Sequence, residues 1–72
     1  MKNEIFRAIR LYKGLSRKEF SKLLGVSEST VYFIESGERN VSDRVRMSLA
    51  KNFDITPEFL ESVQRANKLA EQ

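Results

Sequence analysis

The sequence predicts an all-α fold in which five helices surround a single small core. Apolar residues recur at three- and four-residue spacing in successive segments, which is the period of a helix face rather than of a strand. Between these segments stand residues that end or begin helices, among them Gly14, Gly25 and Gly37. The chain has 72 residues, of which 40% are hydrophobic, so its apolar side chains suffice for one modest core.

Residues 4–13 make up the first predicted helix. Its apolar face consists of Ile5, Phe6 and Ile9. Gly14 ends this helix, and Leu15 should then fill the core between the first helix and the second.

Residues 16–37 predict two short helices joined by a tight turn. Ser16 and Glu19 have the spacing of a capping box, in which each side chain satisfies a backbone N–H at the helix start. Gly25 can end the second helix in a left-handed conformation, and Ser27 can cap the third. The apolar positions of the two helices are Phe20, Leu23, Leu24, Val31 and Ile34. A helix, a short turn containing glycine and a capped helix together form a helix-turn-helix signature.

The last two helices follow a loop that starts after Gly37. Ser42 caps the fourth helix, and Thr56 caps the fifth, in which Pro57 occupies the first helical position. The inward-facing positions are Val45, Leu49, Ala50 and Phe53 in the fourth helix and Phe59, Leu60 and Val63 in the fifth. The composition becomes polar from Gln64 onward. We therefore expect a domain over residues 1–63 and, over residues 64–72, a helical extension or fraying tail.

The composition argues against an enzyme, a metal site and a membrane protein. The chain has no cysteine and no histidine, so the thiolate ligand and the usual general base are missing. We expect no catalytic residue, no bound metal and no cofactor. No apolar run approaches the roughly 18 residues that a membrane span requires, so we expect a cytoplasmic protein.

The net charge of +3 is distributed unevenly along the chain. Residues 1–25 carry seven basic and two acidic side chains, whereas residues 26–72 carry six basic and eight acidic ones. A basic N-terminal part fits a nucleic-acid partner. Residues 27–38, in contrast, contain three glutamates and no basic residue.

Three successive parts of the chain are similar to a known family: the stretch IRLYKGLSRKEFSKLLGVSESTVYFIESGER, a fourth helix, and the segment DITPEFL. Together they resemble the lambdoid repressor/Cro (XRE-type) family of helix-turn-helix domains. The resemblance covers about residues 4–63 and implies a compact five-helix domain whose third helix enters the major groove of DNA. It implies a semi-buried structural ion pair between Arg10 and Glu35, and base-reading positions at Glu28, Ser29 and Phe33. The phosphate contacts that it implies are Ser16, Arg17, Ser27, Thr30, Arg39, Asn40 and Arg44.

Two residues depart from that family pattern, because Glu28 is acidic and Phe33 is a large apolar residue at base-reading positions. If Val31 and Ile34 face the core, then Tyr32 and Phe33 should be exposed and form an apolar patch of the kind that contacts proteins. Other interpretations stay open. Glu28 could favour the helix dipole or accept a hydrogen bond from cytosine, and Phe33 could touch a thymine methyl. Tyr32 could also lie over the start of the fourth helix.

Two functions are compatible with these residues. The first is an antirepressor in a phage-type lysis–lysogeny switch, which binds the helix-turn-helix DNA-binding domain of the phage repressor, either alone or together with operator DNA. Its partner-binding surface would consist of Ser27, Glu28, Ser29, Tyr32, Phe33 and Ser36. The alternative is a Cro-like repressor that binds operator DNA directly, as a homodimer on a two-fold site. Either would act in the cytoplasm of a bacterial host cell.

Overall fold

Five helices follow one another in the computed structural model, which describes residues 1–70. They are α1 (Asn3–Tyr12), α2 (Arg17–Leu24), α3 (Glu28–Glu35), α4 (Asp43–Asn52) and α5 (Pro57–Ala70). No strand occurs among these residues, so the predicted all-α fold is confirmed. α5 continues past Val63 through most of the expected extension, while residues 71 and 72 lie outside the described part. The domain boundary after residue 63 stays a prediction.

A single core lies between the helices. Its buried apolar residues are Phe6, Ala8, Ile9, Phe20, Leu24, Val31, Ile34, Val45, Leu49 and Val63. The rings of Phe6 in α1 and Phe20 in α2 lie 5.0 Å apart, and Phe53 packs against Phe20 from the end of α4 at 6.2 Å. Aromatic pairs at these distances stabilise a core beyond the area they bury.

Two residues expected on apolar faces are exposed. Ala50 was predicted to face inward, but it lies on the outer side of α4. Because Val45 and Leu49 define the buried edge, the next residue after Leu49 is turned by about 100° toward solvent. Leu23 is likewise exposed, since Phe20 and Leu24 occupy the buried edge of α2.

Side chains cap the starts of α2, α3, α4 and α5 as the sequence predicts. The capping oxygens belong to Ser16, Ser27, Ser42 and Thr56, and each accepts a hydrogen bond from the backbone N–H three residues later. Gly25 ends α2 with a φ of 71°, in the left-handed region that glycine adopts without strain. These caps set where α2 and α3 begin and how the turn between them runs.

The end of α2 is also fixed by α4. Ser48 donates its hydroxyl to the backbone carbonyl of Leu24 at 3.0 Å, and Asn52 donates its amide to the carbonyl of Leu23 at 3.1 Å. Carbonyls at a helix C-terminus lack intrahelical partners, so these two contacts satisfy groups that would otherwise need water. α4 therefore holds the turn that positions α3.

The capping box of α2 makes stability depend on pH. The backbone N–H of Ser16 donates to the Glu19 carboxylate at 2.9 Å, and this bond, together with the Ser16 hydroxyl, lowers the pKa of Glu19 below its ordinary value of 4.5. A lowered pKa in the folded state gives stability that is present above the unfolded value and is lost as pH falls through the folded value. We therefore expect the wild type to lose more free energy of unfolding between about pH 5 and about pH 3 than Glu19→Gln, whose amide does not titrate. Urea titrations at several pH values measure this difference, and equal losses in the two proteins would contradict it.

Candidate recognition surface on the third helix

α3 presents one face to the core and the opposite face to solvent. Val31 and Ile34 are buried against α1 and α2, whereas Glu28, Ser29 and Tyr32 are exposed. This follows from the helical period, because residues three apart share a face and those between them point elsewhere. The outer face of α3 is therefore free to meet a partner.

Arg10 and Glu35 lie in contact and join α1 to α3. Arg10 donates from Nε to one carboxylate oxygen at 2.7 Å and from Nη2 to the other at 3.0 Å. Its third donor, Nη1, bonds the backbone carbonyl of Leu15 at 2.9 Å, so this buried guanidinium also fixes the segment before α2. A two-pronged pairing of this kind is strong and geometrically specific.

Two more arginines approach the same carboxylate. Nε of Arg17 lies 3.4 Å from Oε1 of Glu35, and Nε of Arg7 lies 3.9 Å from it. The side chain of Glu35 is only 3% exposed, whereas Arg7 and Arg17 are about half exposed. The sequence reasoning did not single out Arg7. Its position three residues before Arg10, on the same face of α1, is the signal that could have found it.

Two adjacent aromatic rings flanked by two arginines form a row along the outer face of α3. The guanidinium of Arg17 lies over the ring of Tyr32 at 5.6 Å, and that of Arg39 lies over the ring of Phe33 at 5.3 Å. The two rings meet edge to face at 5.5 Å. Both cation–π distances are within the range of an attractive contact. We call these four residues the arginine–aromatic row.

The structure corrects one expectation about the aromatic pair. Phe33 is half-buried rather than substantially exposed, because the chain after α3 folds back over it. The backbone N–H groups of Glu38 and Arg39 both donate to the carbonyl of Phe33, at 3.0 and 3.1 Å, and this return brings the Arg39 side chain over the ring. Tyr32 is 50% exposed, and its ring contacts Phe33 and the guanidinium of Arg17 at the start of α2.

Beside the row lies a shallow concavity of about 230 Å³. Its lining consists of Arg17, Glu28, Ser29, Tyr32 and Phe33. It therefore brings together four of the residues that the sequence pattern placed on the recognition face and one that it placed among the phosphate contacts.

The remaining candidate residues lie around this face. The hydroxyls of Ser16 and Ser27 serve as helix caps, and that of Thr30 lies 2.9 Å from the Ser27 oxygen. Ser36 donates its hydroxyl to the carbonyl of Phe33 at 3.1 Å, so it closes the end of α3. Asn40 and Arg44 are exposed in the loop after α3 and in the first turn of α4.

Asn3 fixes that loop, a role that no sequence pattern predicted. Its amide donates to the carbonyl of Ile34 at the end of α3, at 2.7 Å, and to the carbonyl of Arg39 in the loop. One side chain from the start of α1 thereby ties the end of α3 to the segment that carries Arg39 and Asn40. Nothing in the spacing or type of Asn3 identifies a contact across more than 30 positions.

Two capped helices joined by a glycine turn, with the second helix open to solvent, define a helix-turn-helix DNA-binding domain. A family model described as helix-turn-helix matches residues 6–60. The chain therefore belongs to the helix-turn-helix family of repressor/Cro (XRE) type, a family of DNA-binding transcription regulators. No curated protein and no solved structure matches the chain significantly.

Two other structural features are absent from residues 1–70. Across residues 1–70, no helix combines the length and the hydrophobicity that crossing a membrane requires. The same residues contain no group of three or more acidic, histidine or cysteine side chains that could hold a metal ion.

Proposed function

We propose that this regulator acts as an antirepressor, whose α3 face binds the DNA-binding domain of a helix-turn-helix repressor and occludes the surface with which that repressor reads its operator. A fold alone does not decide between a DNA partner and a protein partner. The proposal rests on the chemistry of the side chains that α3 exposes.

The arginine–aromatic row is the observation that carries the proposal. Tyrosine, phenylalanine and arginine are enriched at the centres of protein interfaces, where a few such residues supply most of the binding energy. In this chain two of them, Tyr32 and Phe33, stand at the middle of the face that would read DNA. A half-buried ring offers rigid apolar area at little cost in conformational entropy.

The arginines of the row are already engaged. Arg17 contacts Glu35 and Tyr32, and Arg39 stacks on Phe33. Duplex DNA binds through basic side chains that replace condensed counterions, and the Glu35 carboxylate already offsets part of the charge of Arg17. This engagement supports a protein partner over a phosphate backbone for this part of the surface.

The free charge on α3 supports the same partner. Glu28 is exposed and has neither an ion pair nor a hydrogen-bond partner among residues 1–70. A carboxylate on this face repels DNA phosphates, but it complements the basic DNA-binding face of a repressor. The sequence also resembles the small modulator-of-repression protein of a temperate lactococcal phage switch. That resemblance suggests a phage repressor as the partner and the bacterial cytoplasm as the place of action.

Direct, Cro-like binding to operator DNA is the second candidate. Two exposed residues after α3, Asn40 and Arg44, favour it. Within residues 1–70, neither lies over an aromatic ring as Arg17 and Arg39 do. Family membership favours it as well, and a homodimer would place two α3 helices on a two-fold operator.

Fluorescence anisotropy of labelled operator DNA separates the two functions. The DNA comes from the control region next to the gene for this chain and is titrated across a salt series, with and without the repressor encoded there. If the chain is an antirepressor, it should not bind the labelled DNA selectively by itself. Its addition should change the affinity of the repressor for the operator. Selective binding by the chain alone, weakening steeply with salt, would instead establish the Cro-like function.

If the chain binds operator DNA directly, Arg44→Met should change the salt dependence. Loss of one phosphate contact lowers the slope of log affinity against log salt by about one and weakens binding on all sequences alike. Arg65→Met is the matched control, because Arg65 lies on α5 and pairs with Glu61. Equal slopes for Arg44→Met and wild type would remove Arg44 from the phosphate contacts.

A further inference from the structure

We infer that the concavity beside the arginine–aromatic row binds the carboxamide of an asparagine or glutamine on the DNA-reading helix of the partner repressor. This inference rests on the proposed antirepressor function and names the group that its surface takes. It assigns to Arg17 and Glu28 the role of a paired donor and acceptor.

The two charged side chains that line this concavity, Arg17 and Glu28, are both available to a ligand. Glu28 can only accept hydrogen bonds, and it has no partner among residues 1–70. Arg17 uses its Nε toward Glu35, whereas its two terminal nitrogens make no hydrogen bond within the described residues. Arg17 and Glu28 form no salt bridge with each other. The concavity therefore offers one charged acceptor and one charged donor beside two aromatic rings and the Ser29 side chain.

A carboxamide matches this pair better than a charged group does. Its oxygen accepts and its nitrogen donates, so one planar group can bond Arg17 and Glu28 together. A lysine or arginine of the partner would be attracted by Glu28 but repelled by Arg17. An aspartate or glutamate would be attracted by Arg17 but repelled by Glu28. The size agrees, since about 230 Å³ is smaller than the roughly 300–1,000 Å³ of small-molecule sites and suits a single side chain.

The same pattern explains why a repressor would offer this group. The major-groove edge of adenine presents one acceptor and one donor, which asparagine and glutamine side chains read with two hydrogen bonds. Arg17 as donor and Glu28 as acceptor present the same combination. A repressor side chain that reads adenine in the operator could thus bind the concavity instead, and it could not do both at once.

Charge-removing substitutions at the two sides of the concavity test the inference through the sign of their effects. The probe is the purified DNA-binding domain of the neighbouring repressor, and its affinity is measured by isothermal titration calorimetry. A carboxamide ligand predicts that Glu28→Met and Arg17→Met each weaken binding by about tenfold or more, because each removes a hydrogen bond to a charged group. A cationic ligand predicts that Glu28→Met weakens binding and Arg17→Met tightens it, and an anionic ligand predicts the opposite pair of signs. Either opposite-sign result would overturn the inference.

Two variants control for charge and helix position. Glu58→Met removes an acidic residue from the first turn of α5, as Glu28→Met does in α3, and Lys18→Met removes the basic neighbour of Arg17. Both should bind within about twofold of wild type, and thermal unfolding followed by circular dichroism checks that all four variants are folded. A double-mutant cycle with alanine at each asparagine and glutamine of the repressor's recognition helix then identifies the ligand by its coupling.

The outcomes distinguish failure of the inference from failure of the proposed function. If Phe33→Ala weakens repressor binding while Glu28→Met and Arg17→Met do not, the antirepressor function stands and the carboxamide site is wrong. If the wild type does not bind the repressor at all, both are wrong.

Discussion

Arg10→Met is expected to lower the free energy of unfolding by about 3 kcal/mol, the lower end of the range for breaking a buried ion pair. The substitution removes two hydrogen bonds from the buried Glu35 carboxylate and the only side-chain donor to the Leu15 carbonyl within residues 1–70. Methionine keeps most of the aliphatic stem, so packing is largely preserved. The lower end applies because Arg7 and Arg17 remain near the carboxylate and partly compensate its charge. Urea denaturation followed by circular dichroism measures the loss.

Arg7→Met is the control for this prediction. Arg7 approaches the same oxygen of Glu35, but at 3.9 Å and with 52% of its side chain exposed, so its loss should cost less than about 1 kcal/mol. The double variant Arg10→Met, Glu35→Leu should recover part of the stability, because it leaves no buried charge without a partner. Equal losses in Arg10→Met and Arg7→Met would show that the exposed arginines neutralise Glu35 as well as Arg10 does.

The parts of the fold that depend on neighbouring residues could be predicted from the sequence. Ser16, Ser42 and Thr56 each bond a backbone N–H three positions away, and Gly25 adopts the left-handed conformation that ends α2. These interactions depend on residue type and short spacing alone. The helix order and the position of the turn followed from them.

Contacts between distant segments could not be predicted in the same way. The helical period correctly predicted that Tyr32 points away from the core. It could not reveal that the guanidinium of Arg17 lies over the Tyr32 ring. Phe33 is half-buried only because the loop after α3 returns and brings Arg39 onto it. The anchoring of that loop by Asn3 has no sequence signature. The helical period therefore predicted which face of α3 meets solvent, while the pairing of the charges and rings on that face needed the tertiary structure; the role of the face stays a prediction.

The pairing of the arginines with aromatic rings bears on the choice between DNA and a protein as the partner. The resemblance to the repressor/Cro family implies that Arg17 and Arg39 contact phosphates. Considered by sequence position alone, both residues would support DNA binding. In the folded chain each guanidinium lies over an aromatic ring of α3, and Arg17 also meets a carboxylate. The residues that should attract phosphate thus belong to a mixed surface of arginines and aromatic rings, a composition that is enriched at protein interfaces.

Tyr32→Ala and Phe33→Ala are each expected to weaken binding of the repressor's DNA-binding domain by about 2 kcal/mol, or roughly 30-fold. Each removes an aromatic ring from the centre of the row and leaves the arginine above it without its stacking partner. Isothermal titration calorimetry measures the affinity. Because Tyr32 is half exposed, its truncation should leave the stability of the domain nearly unchanged, so Tyr32→Ala remains informative even if Phe33→Ala lowers stability.

Met47→Ala is the matched control for the aromatic pair, since Met47 is a large apolar side chain on α4 that is 71% exposed. If repressor binding depends on the centre of the α3 face, Met47→Ala should keep the wild-type affinity. A loss of about 30-fold in Met47→Ala with none in Tyr32→Ala and Phe33→Ala would place the interface on α4 and remove the observation on which the antirepressor function rests. Losses in all three would mean that the interface extends from α3 onto α4. In that case the repressor would cover more of the domain than the surface with which α3 would read DNA.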